Sequence, residues 1–298
     1  MKIVISGGTG FIGEPLSKAL TSRGEVKVLT RNPAKVEAGE PLEWHPPDPG
    51  PWQDEVASAD VVINLAGENI ADGRCTEAKK RRLRESRIDA TRSIVAALER
   101  DKDRNRRLIS ASAVGYYGDR GDAVLDEEAD PGAGFLSDLA EEWEDSALEA
   151  RDAATVTILR FGIVIGPGGA LSAMLPIFRF GLGGKLGSGE QWMPWVDRED
   201  LIRLVEWVID GQPESATYNV TAPEPVRNRE FTATLGDVLR RPTILPAPAF
   251  GLKIVLGDMA EEMLLASQRV IPKRATGEGF EFRTTELKES FERALSRM

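Results

Sequence analysis

The chain of 298 residues has little of what several kinds of site require. It contains one cysteine, Cys75, and one histidine, His45. A single cysteine excludes an intramolecular disulfide and fits a reducing compartment. One residue of each type cannot assemble a zinc site from Cys and His ligands, so we expect no metal. His45 stands in a proline-rich stretch at residues 44–47, which argues against a Ser-His-Asp triad.

The sequence also lacks long apolar runs and an excess of positive charge. No run is long enough to predict a membrane span. Lys and Arg number 38 against 48 Asp and Glu, a net charge of −10, and this acidic balance argues against nucleic acid as the main partner. Met1 leads directly into a strand pattern, without the apolar region of a signal peptide. We expect a soluble cytoplasmic protein whose partner is a small-molecule substrate.

What the sequence does contain is an alternation of short apolar runs with helix-length segments. The β-rich runs occupy residues 2–6, 26–30, 60–65, 107–111 and 155–161, and the long helical segments occupy 76–100 and 137–151. Such alternation is typical of a parallel sheet covered on both faces. The predicted class is therefore α/β, a Rossmann-like doubly wound parallel sheet with a smaller C-terminal substrate lobe and a helical tail.

Beyond residue 166 the pattern loosens. A helix is predicted from Asp197 to Gly211, a strand at 218–220 and a helix at 228–240, and three prolines at 242–248 indicate a linker. We expect three parts. They are a Rossmann-like core at residues 1–165, remaining core and substrate-lobe segments at 166–245, and a small helical domain at 246–298.

A glycine-rich loop follows the first strand and opens the first helix. In GGTGFIG, residues Gly7, Gly10 and Gly13 are spaced as G-x-x-G-x-x-G. Glycines let the backbone turn tightly and approach a diphosphate, and the helix N-terminus offers free N–H groups. The alternative is a tight turn with packing glycines. The order of strand, loop, helix and second strand favours dinucleotide binding.

The end of the second strand distinguishes NAD from NADP. An NAD site places Asp or Glu there to bind the ribose 2′-hydroxyl, whereas this chain has Thr30 and Arg31, and its next carboxylate is Glu37. The Arg31 guanidinium offers a planar fork for a 2′-phosphate. The sequence therefore predicts NADP (NADPH), with a plain surface arginine as the alternative.

Four motifs together resemble the extended or atypical short-chain dehydrogenase/reductases. They are GGTGFIG at 7–13, NLAGENI at 64–70, SASAVGYYG at 110–118 and RFGIVIG at 160–166. Within that group the chain is most similar to the NAD-dependent epimerase/dehydratase-like proteins known as epimerase family proteins, whose tail is a small domain of unknown function. GSGEQ at 187–191, WVDRED at 195–200, GDMA at 257–260 and IPKR at 271–274 also fit.

The resemblance implies a map of cofactor contacts. The glycine loop would bind the diphosphate, Thr30 and Arg31 would face the adenosine ribose, and Ile163 would lie near the nicotinamide. The predicted cofactor-binding residues are Gly7, Thr9, Gly10, Phe11, Ile12, Gly13, Thr30, Arg31, Leu65, Ala66, Gly67, Glu68, Arg87 and Ile163.

Arg87 is a candidate on physical grounds. It shares one helical face with Leu83, Ala90, Ile94 and Leu98. An arginine buried on an apolar face needs an anionic partner, either the cofactor phosphate or a carboxylate. An arginine that snorkels at the helix edge is the alternative.

The residues that usually perform the chemistry of this family are missing. These enzymes use a Tyr-x-x-x-Lys pair, in which the lysine lowers the pKa of the tyrosine. None of Tyr116, Tyr117 and Tyr218 has a lysine four residues later. The resemblance implies that Phe135 and Leu139 occupy the two positions instead.

Two candidate catalytic residues remain. Ser112 matches the family serine that hydrogen-bonds a reacting carbonyl, unless it caps its own loop, and Tyr116 lies in the loop that would pass the nicotinamide. Asp197 stands where the family usually has His, and Cys75 where relatives often have Trp. These departures bear on the substrate more than on the cofactor.

Two functions follow from these observations. The first is an NADP(H)-binding oxidoreductase or epimerase-like enzyme of the short-chain dehydrogenase class, acting on an unknown small substrate. The alternative is a non-catalytic NADP(H)-binding redox sensor or scaffold protein.

Overall fold

The structure is a computed structural model that describes residues 1–73, 76–211, 214–248, 259 and 261–298. Cys75 and most of the GDMA motif at 257–260 lie outside the described residues. So does the first part of the expected helical tail, at 249–258.

The apolar runs of the first half form the centre of a parallel sheet. Every residue of Val61–Asn64 is buried, because a strand covered by helices on both faces needs apolar side chains on both. The strands are β1 (Lys2–Ser6), β2 (Glu25–Thr30), β3 (Glu40–Glu43), β4 (Val61–Asn64), β5 (Arg107–Ala113), β6 (Val124–Leu125), β7 (Thr155–Phe161), β8 (Ile163–Ile165), β9 (Trp192–Met193), β10 (Trp195–Asp197), β11 (Ala216–Val220), β12 (Val226–Arg227) and β13 (Arg269–Val270). Seven strands of the described residues make the main sheet, in the order β11-β7-β5-β4-β1-β2-β3.

Helices cover both faces of this sheet. They are α1 (Gly13–Leu20), α2 (Trp52–Ala57), α3 (Glu77–Leu98), α4 (Phe135–Leu148), α5 (Gly169–Arg179), α6 (Arg198–Asp210), α7 (Asn228–Leu239), α8 (Lys273–Gly277) and α9 (Leu287–Ser296). One apolar core contains side chains of α1 and α6, and a second contains side chains of α2, α3 and α4. The predicted doubly wound α/β class is confirmed. Within the described ranges, no helix has the length and apolar character needed to cross a membrane.

Capping side chains set the ends of two predicted helices. The Thr76 hydroxyl accepts a hydrogen bond from the backbone N–H of Lys79 at 3.2 Å, where α3 begins. The Asp197 carboxylate accepts one from Glu199 N–H at 2.8 Å, and α6 ends before Gly211. Each cap satisfies an N–H that the first helical turn leaves without a partner. The predicted helix from Asp197 to Gly211 is thus confirmed.

The edge strand β3 was not predicted. It pairs in parallel with β2, placing Leu42 opposite Leu29. Its sequence, Glu-Pro-Leu-Glu, has no apolar run. An edge strand buries few side chains, and in β3 only Leu42 is half-buried. Proline is tolerated there since one side of an edge strand needs no ladder hydrogen bond.

The tail packs against elements from the first and second halves of the chain. β13 pairs in parallel with β6, and Phe291 of α9 packs edge-to-face on Phe231 of α7 with ring centroids 5.0 Å apart. The Glu127 carboxylate accepts hydrogen bonds from the backbone N–H groups of Asn219 and Arg274, both at 3.1 Å. This side chain ties β11 to the start of α8.

We predict that Glu127→Ala lowers the free energy of unfolding by about 1–3 kcal/mol, because two backbone N–H groups lose their acceptor. Glu128 is exposed, and Glu128→Ala should change stability by no more than about 0.5 kcal/mol. Urea unfolding followed by circular dichroism measures both. Equal midpoints for the two variants would contradict the assigned role of Glu127.

Candidate functional site

The glycine loop lies where β1 ends, against the chain that follows β4. Gly7 has a φ of +70°, and a Cβ there would lie 2.6 Å from the carbonyl oxygen of Leu65. A Cβ on Gly13 would come closer still to the Gly7 carbonyl. Gly10 N–H donates to that carbonyl at 3.0 Å. Side chains are therefore excluded at Gly7 and Gly13 by neighbouring backbone.

A cleft of about 850 Å³ opens beside this loop. Apart from its chain neighbours, a Cβ on Gly10 would meet only the Gly7 carbonyl oxygen within 4 Å, at 3.2 Å. The backbone of the loop is thus open to a ligand at Gly10. Nine of the predicted cofactor-binding residues line the cleft: Gly7, Thr9, Gly10, Thr30, Arg31, Leu65, Ala66, Gly67 and Glu68.

Three predicted residues of the glycine loop, Phe11, Ile12 and Gly13, do not line this cleft. The Phe11 ring packs instead on the start of α5, where a Cβ on Gly169 would lie 2.7 Å from it. The Arg198 guanidinium carbon lies 4.9 Å from the centre of the same ring. The side chain of Phe11 therefore anchors the loop to the second half of the chain, and its contact with a cofactor stays a prediction.

The end of β2 presents a cation to the cleft. Arg31 is exposed, and its guanidinium makes no hydrogen bond or ion pair with another described residue. The Thr30 hydroxyl accepts a hydrogen bond from Asn32 N–H at 3.1 Å, which shapes the turn after the strand. The carboxylates of the cleft come from the chain after β4 and from α3. They are Glu68, Asp72, Glu85 and Asp89.

Glu68 is neutralised within the protein. The buried ammonium of Lys79 donates to it at 2.7 Å, and Arg82 lies 3.3 Å away. The hydrogen bond from Lys79 holds the pKa of Glu68 below its usual range. This carboxylate therefore adds little net negative charge to the cleft.

A second cavity, of about 190 Å³, lies between the carboxyl ends of β5 and β7 and the tail. Ile163 and Arg87, both predicted to bind the cofactor, line this cavity. Its walls are mainly apolar. They include Leu136, Leu139, Trp143, Phe161, Trp192, Met193, Pro194 and Met263.

Arg87 lies between the cleft and the second cavity. It is 8% exposed, and its guanidinium donates to the carbonyls of Leu83 and Glu68, both at 3.1 Å. A Cβ on Gly67, a cleft residue, would lie 3.1 Å from the guanidinium carbon. Burial lowers the pKa of Arg87 to about 10, which leaves it protonated at neutral pH. No carboxylate among the described residues forms an ion pair with it, so the anionic partner that burial requires is not supplied there.

Ser112 belongs to a buried hydrogen-bond network behind the cavity. Its hydroxyl donates to Glu144 at 2.6 Å. Glu144 also accepts two hydrogen bonds from Arg160, at 2.8 and 2.7 Å. Arg160 donates in turn to the Tyr117 hydroxyl at 2.9 Å and lies 3.4 Å from the ring centre of Tyr116. The serine hydroxyl is therefore committed to a protein acceptor.

Neither Ser112 nor Tyr116 is among the residues that line the second cavity. Burial raises the pKa of the Tyr116 hydroxyl, which opposes its use as a base near neutral pH. The catalytic roles of both residues stay predictions.

Glu262 is a carboxylate that the sequence did not point to. It lines the second cavity, and its Oε2 accepts the backbone N–H of Leu136 at 2.7 Å, in the first turn of α4. This helix begins at Phe135 and carries Leu139, the two positions to which the resemblance assigns the missing Tyr-x-x-x-Lys pair. Among the described lining residues, Arg87 and Glu262 are the charged ones.

Other lining residues were also missed. Residues 44–47 form one wall of the cleft because they follow β3, whose carboxyl end meets the same sheet edge as β2. Recognising β3 would have placed them there. Trp192 and Gln268 line the second cavity and have no local sequence signal, since distant segments bring them together.

Within the described residues, no group of three or more His, Cys, Asp or Glu side chains could hold a metal ion.

Comparison with known families accounts for most of the chain. Residues 3–221 match the model of the NAD dependent epimerase/dehydratase family. The chain belongs to this family. Residues 247–294 match a domain of unknown function, DUF1731, so the resemblance noted in the sequence is confirmed in both parts.

Relatives of this epimerase/dehydratase chain share its full length. Epimerase family protein ML0860 of Mycobacterium leprae is 38% identical over 99% of this chain and 96% of its own. Epimerase family protein YfhF of Bacillus subtilis is 38% identical, with 96% and 95% covered. A crystal structure of the human epimerase family protein SDR39U1 (isoform 2) with NADPH superposes with a TM-score of 0.87, at 31% identity and 100% coverage of both chains.

We predict that Glu144→Ala costs about 3–5 kcal/mol of stability, because it leaves Arg160 as a buried charge without its partner. Ser112→Ala should cost only about 1 kcal/mol, one ordinary hydrogen bond. Glu141→Ala, an exposed carboxylate on the same helix, is the control. Urea unfolding ranks the three variants; a Glu144 variant no less stable than the Glu141 variant would refute the buried pair.

Proposed function

We propose that this protein binds NADP(H) in the cleft beside the glycine loop. The second cavity would hold a small substrate that bears a hydroxyl or a carbonyl. The protein would then be an oxidoreductase or epimerase-like enzyme. The observation that carries the proposal is a glycine loop whose backbone lines the cleft at Gly7 and Gly10, with Arg31 at the end of β2 lining the same cleft. The human relative bound to NADPH supports the choice of cofactor.

The residues present fit this cofactor. Loop N–H groups at the start of α1 would hold the diphosphate, as helix N-termini hold anions. The Arg31 guanidinium would bind the 2′-phosphate. Gly67 and Arg87 stand where the cleft meets the second cavity, and Ile163 lines that cavity. An extended dinucleotide in the cleft would therefore bring its reactive end toward Ile163.

Bound NADP(H) would exchange a hydride with the substrate. Each hydride added to a carbonyl carbon must be matched by a proton added to its oxygen. We place this proton transfer on Glu262, since it is the carboxyl group among the described residues that line the cavity. Ser112 and Tyr116 remain predicted contributors to catalysis. Both lie at the Glu144–Arg160 network behind the wall of the second cavity.

The alternative is an NADP(H)-binding protein without turnover. The missing Tyr-x-x-x-Lys pair favours it, because general acid–base groups typically contribute about 10²–10⁴-fold to a rate. Turnover assays distinguish this alternative from the enzyme, whereas cofactor binding is common to both.

We expect NADPH to bind more tightly than NADH. Arg31→Ala should remove this preference by raising the dissociation constant for NADPH roughly 10- to 150-fold, the effect of a lost charge-assisted hydrogen bond. Lys35→Ala removes an equal charge from the exposed segment nearby and should leave the preference intact. Calorimetric titration measures all three proteins, and equal affinities of the wild type for NADPH and NADH would contradict the proposal.

Gly10→Val should abolish NADPH binding while the fold persists. The valine side chain would occupy part of the cleft. The backbone at Gly10 does not have a positive φ, so valine is compatible with its conformation. Gly277→Val is a matched control, because a Cβ there meets nothing within 4 Å. Circular dichroism checks folding and titration measures NADPH; a folded Gly10 variant that keeps its affinity would refute the cradle.

The proposed enzymatic activity is tested by measuring NADPH oxidation with a panel of aldehydes and ketones. We expect Glu262→Gln to lower turnover by about 10²–10⁴-fold, with smaller losses for Ser112→Ala and Tyr116→Phe and none for Glu128→Gln. The absence of the Tyr-Lys pair predicts little epimerisation of nucleotide sugars. Robust epimerisation, or a fully active Glu262 variant, would overturn this assignment. NADPH binding without turnover on any substrate would favour the alternative.

A further inference from the structure

Arg87 has unused hydrogen-bonding capacity beside an apolar cavity. A guanidinium carries five N–H donors, and two of them are directed at the carbonyls of Leu83 and Glu68. The carboxylate that acts on its charge, Glu68, is already bound to Lys79. A buried cation that has only carbonyl partners is costly unless an anion joins it.

The surroundings of Arg87 restrict what that anion can be. The guanidinium carbon lies 5.1 Å from the ring centre of Trp143, in a cation–π arrangement. The remaining walls, including Leu136, Leu139 and Met193, are mainly apolar. The cavity of about 190 Å³ suits a compact ligand. Its other charged group, Glu262, is held by the N–H of Leu136.

We infer that Arg87 binds the carboxylate of a small substrate whose remaining body is apolar or aromatic. Planar guanidinium and planar carboxylate match through two parallel hydrogen bonds. This inference rests on the proposed function for the reacting group, so the substrate class is an apolar hydroxy- or oxo-carboxylic acid. Arg87 is thereby assigned to the substrate and not to the cofactor phosphate.

Matched pairs of carboxylates and amides test this inference without knowledge of the natural substrate. Benzoate and benzamide, and phenylacetate and phenylacetamide, have nearly equal shape and differ in charge. Calorimetric titration with and without saturating NADPH would compare the wild type with Arg87→Gln and Arg87→Lys. Arg84→Gln is the matched control, because Arg84 lies on the same helix, pairs with Glu142 and does not line the cavity.

We expect the wild type and the Arg84 variant to bind at least one carboxylate about tenfold or more tightly than its amide. Arg87→Gln should lose this difference, Arg87→Lys should keep part of it, and the NADPH affinity of both should fall less than threefold. Three results would overturn the inference: no carboxylate preference in the wild type, an unchanged preference in Arg87→Gln, or carboxylates that compete with NADPH while Arg87→Gln loses NADPH affinity. Failure of the wild type to bind NADPH would instead refute the proposed function, while the carboxylate comparison remains readable.

Discussion

The site depends on the close approach of two backbone segments at the carboxyl ends of the strands, the loop after β1 and the chain after β4. The loop after β1 passes so near the Leu65 carbonyl that position 7 has no room for a Cβ and adopts a positive φ. That approach leaves a cleft beside Gly10 and positions Gly67 against the Arg87 guanidinium. Phe11 then fixes the same loop to the start of α5. A change in this approach would therefore disturb the cleft and the wall of the second cavity together.

Two arginines that are buried near the second cavity have different kinds of hydrogen-bond partner. Arg160 forms a two-bond pair with Glu144 and completes a network with Ser112 and Tyr117. Arg87 has two backbone carbonyls and an aromatic face. The first arrangement satisfies the charge of Arg160 within the protein. The second leaves donors beside the cavity, which is the pattern of a ligand-binding side chain.

The sequence predicted the parts of the molecule that local patterns control. Strand and helix alternation fixed the sheet, and glycine spacing fixed the loop, because both depend on neighbours in the chain. The edge strand β3 escaped prediction since it buries little and carries a proline. Glu262 in the tail and Trp192 in β9 reach the cavity only through long-range packing, so no local pattern predicts them. The sequence singled out Ser112 as a candidate site residue. Its hydrogen bond to Glu144 could not be predicted, because that contact depends on how α4 packs on β5.

Central to the proposed function is that a single extended cofactor would connect the cleft with the second cavity. A crystal structure of this protein grown with NADPH tests it most directly. We expect density for the 2′-phosphate beside Arg31, the diphosphate on the glycine loop, and the nicotinamide against Ile163 at the wall of the second cavity, next to the space proposed for the substrate. A nicotinamide that lies away from Ile163, or a 2′-phosphate turned away from Arg31, would contradict this proposal.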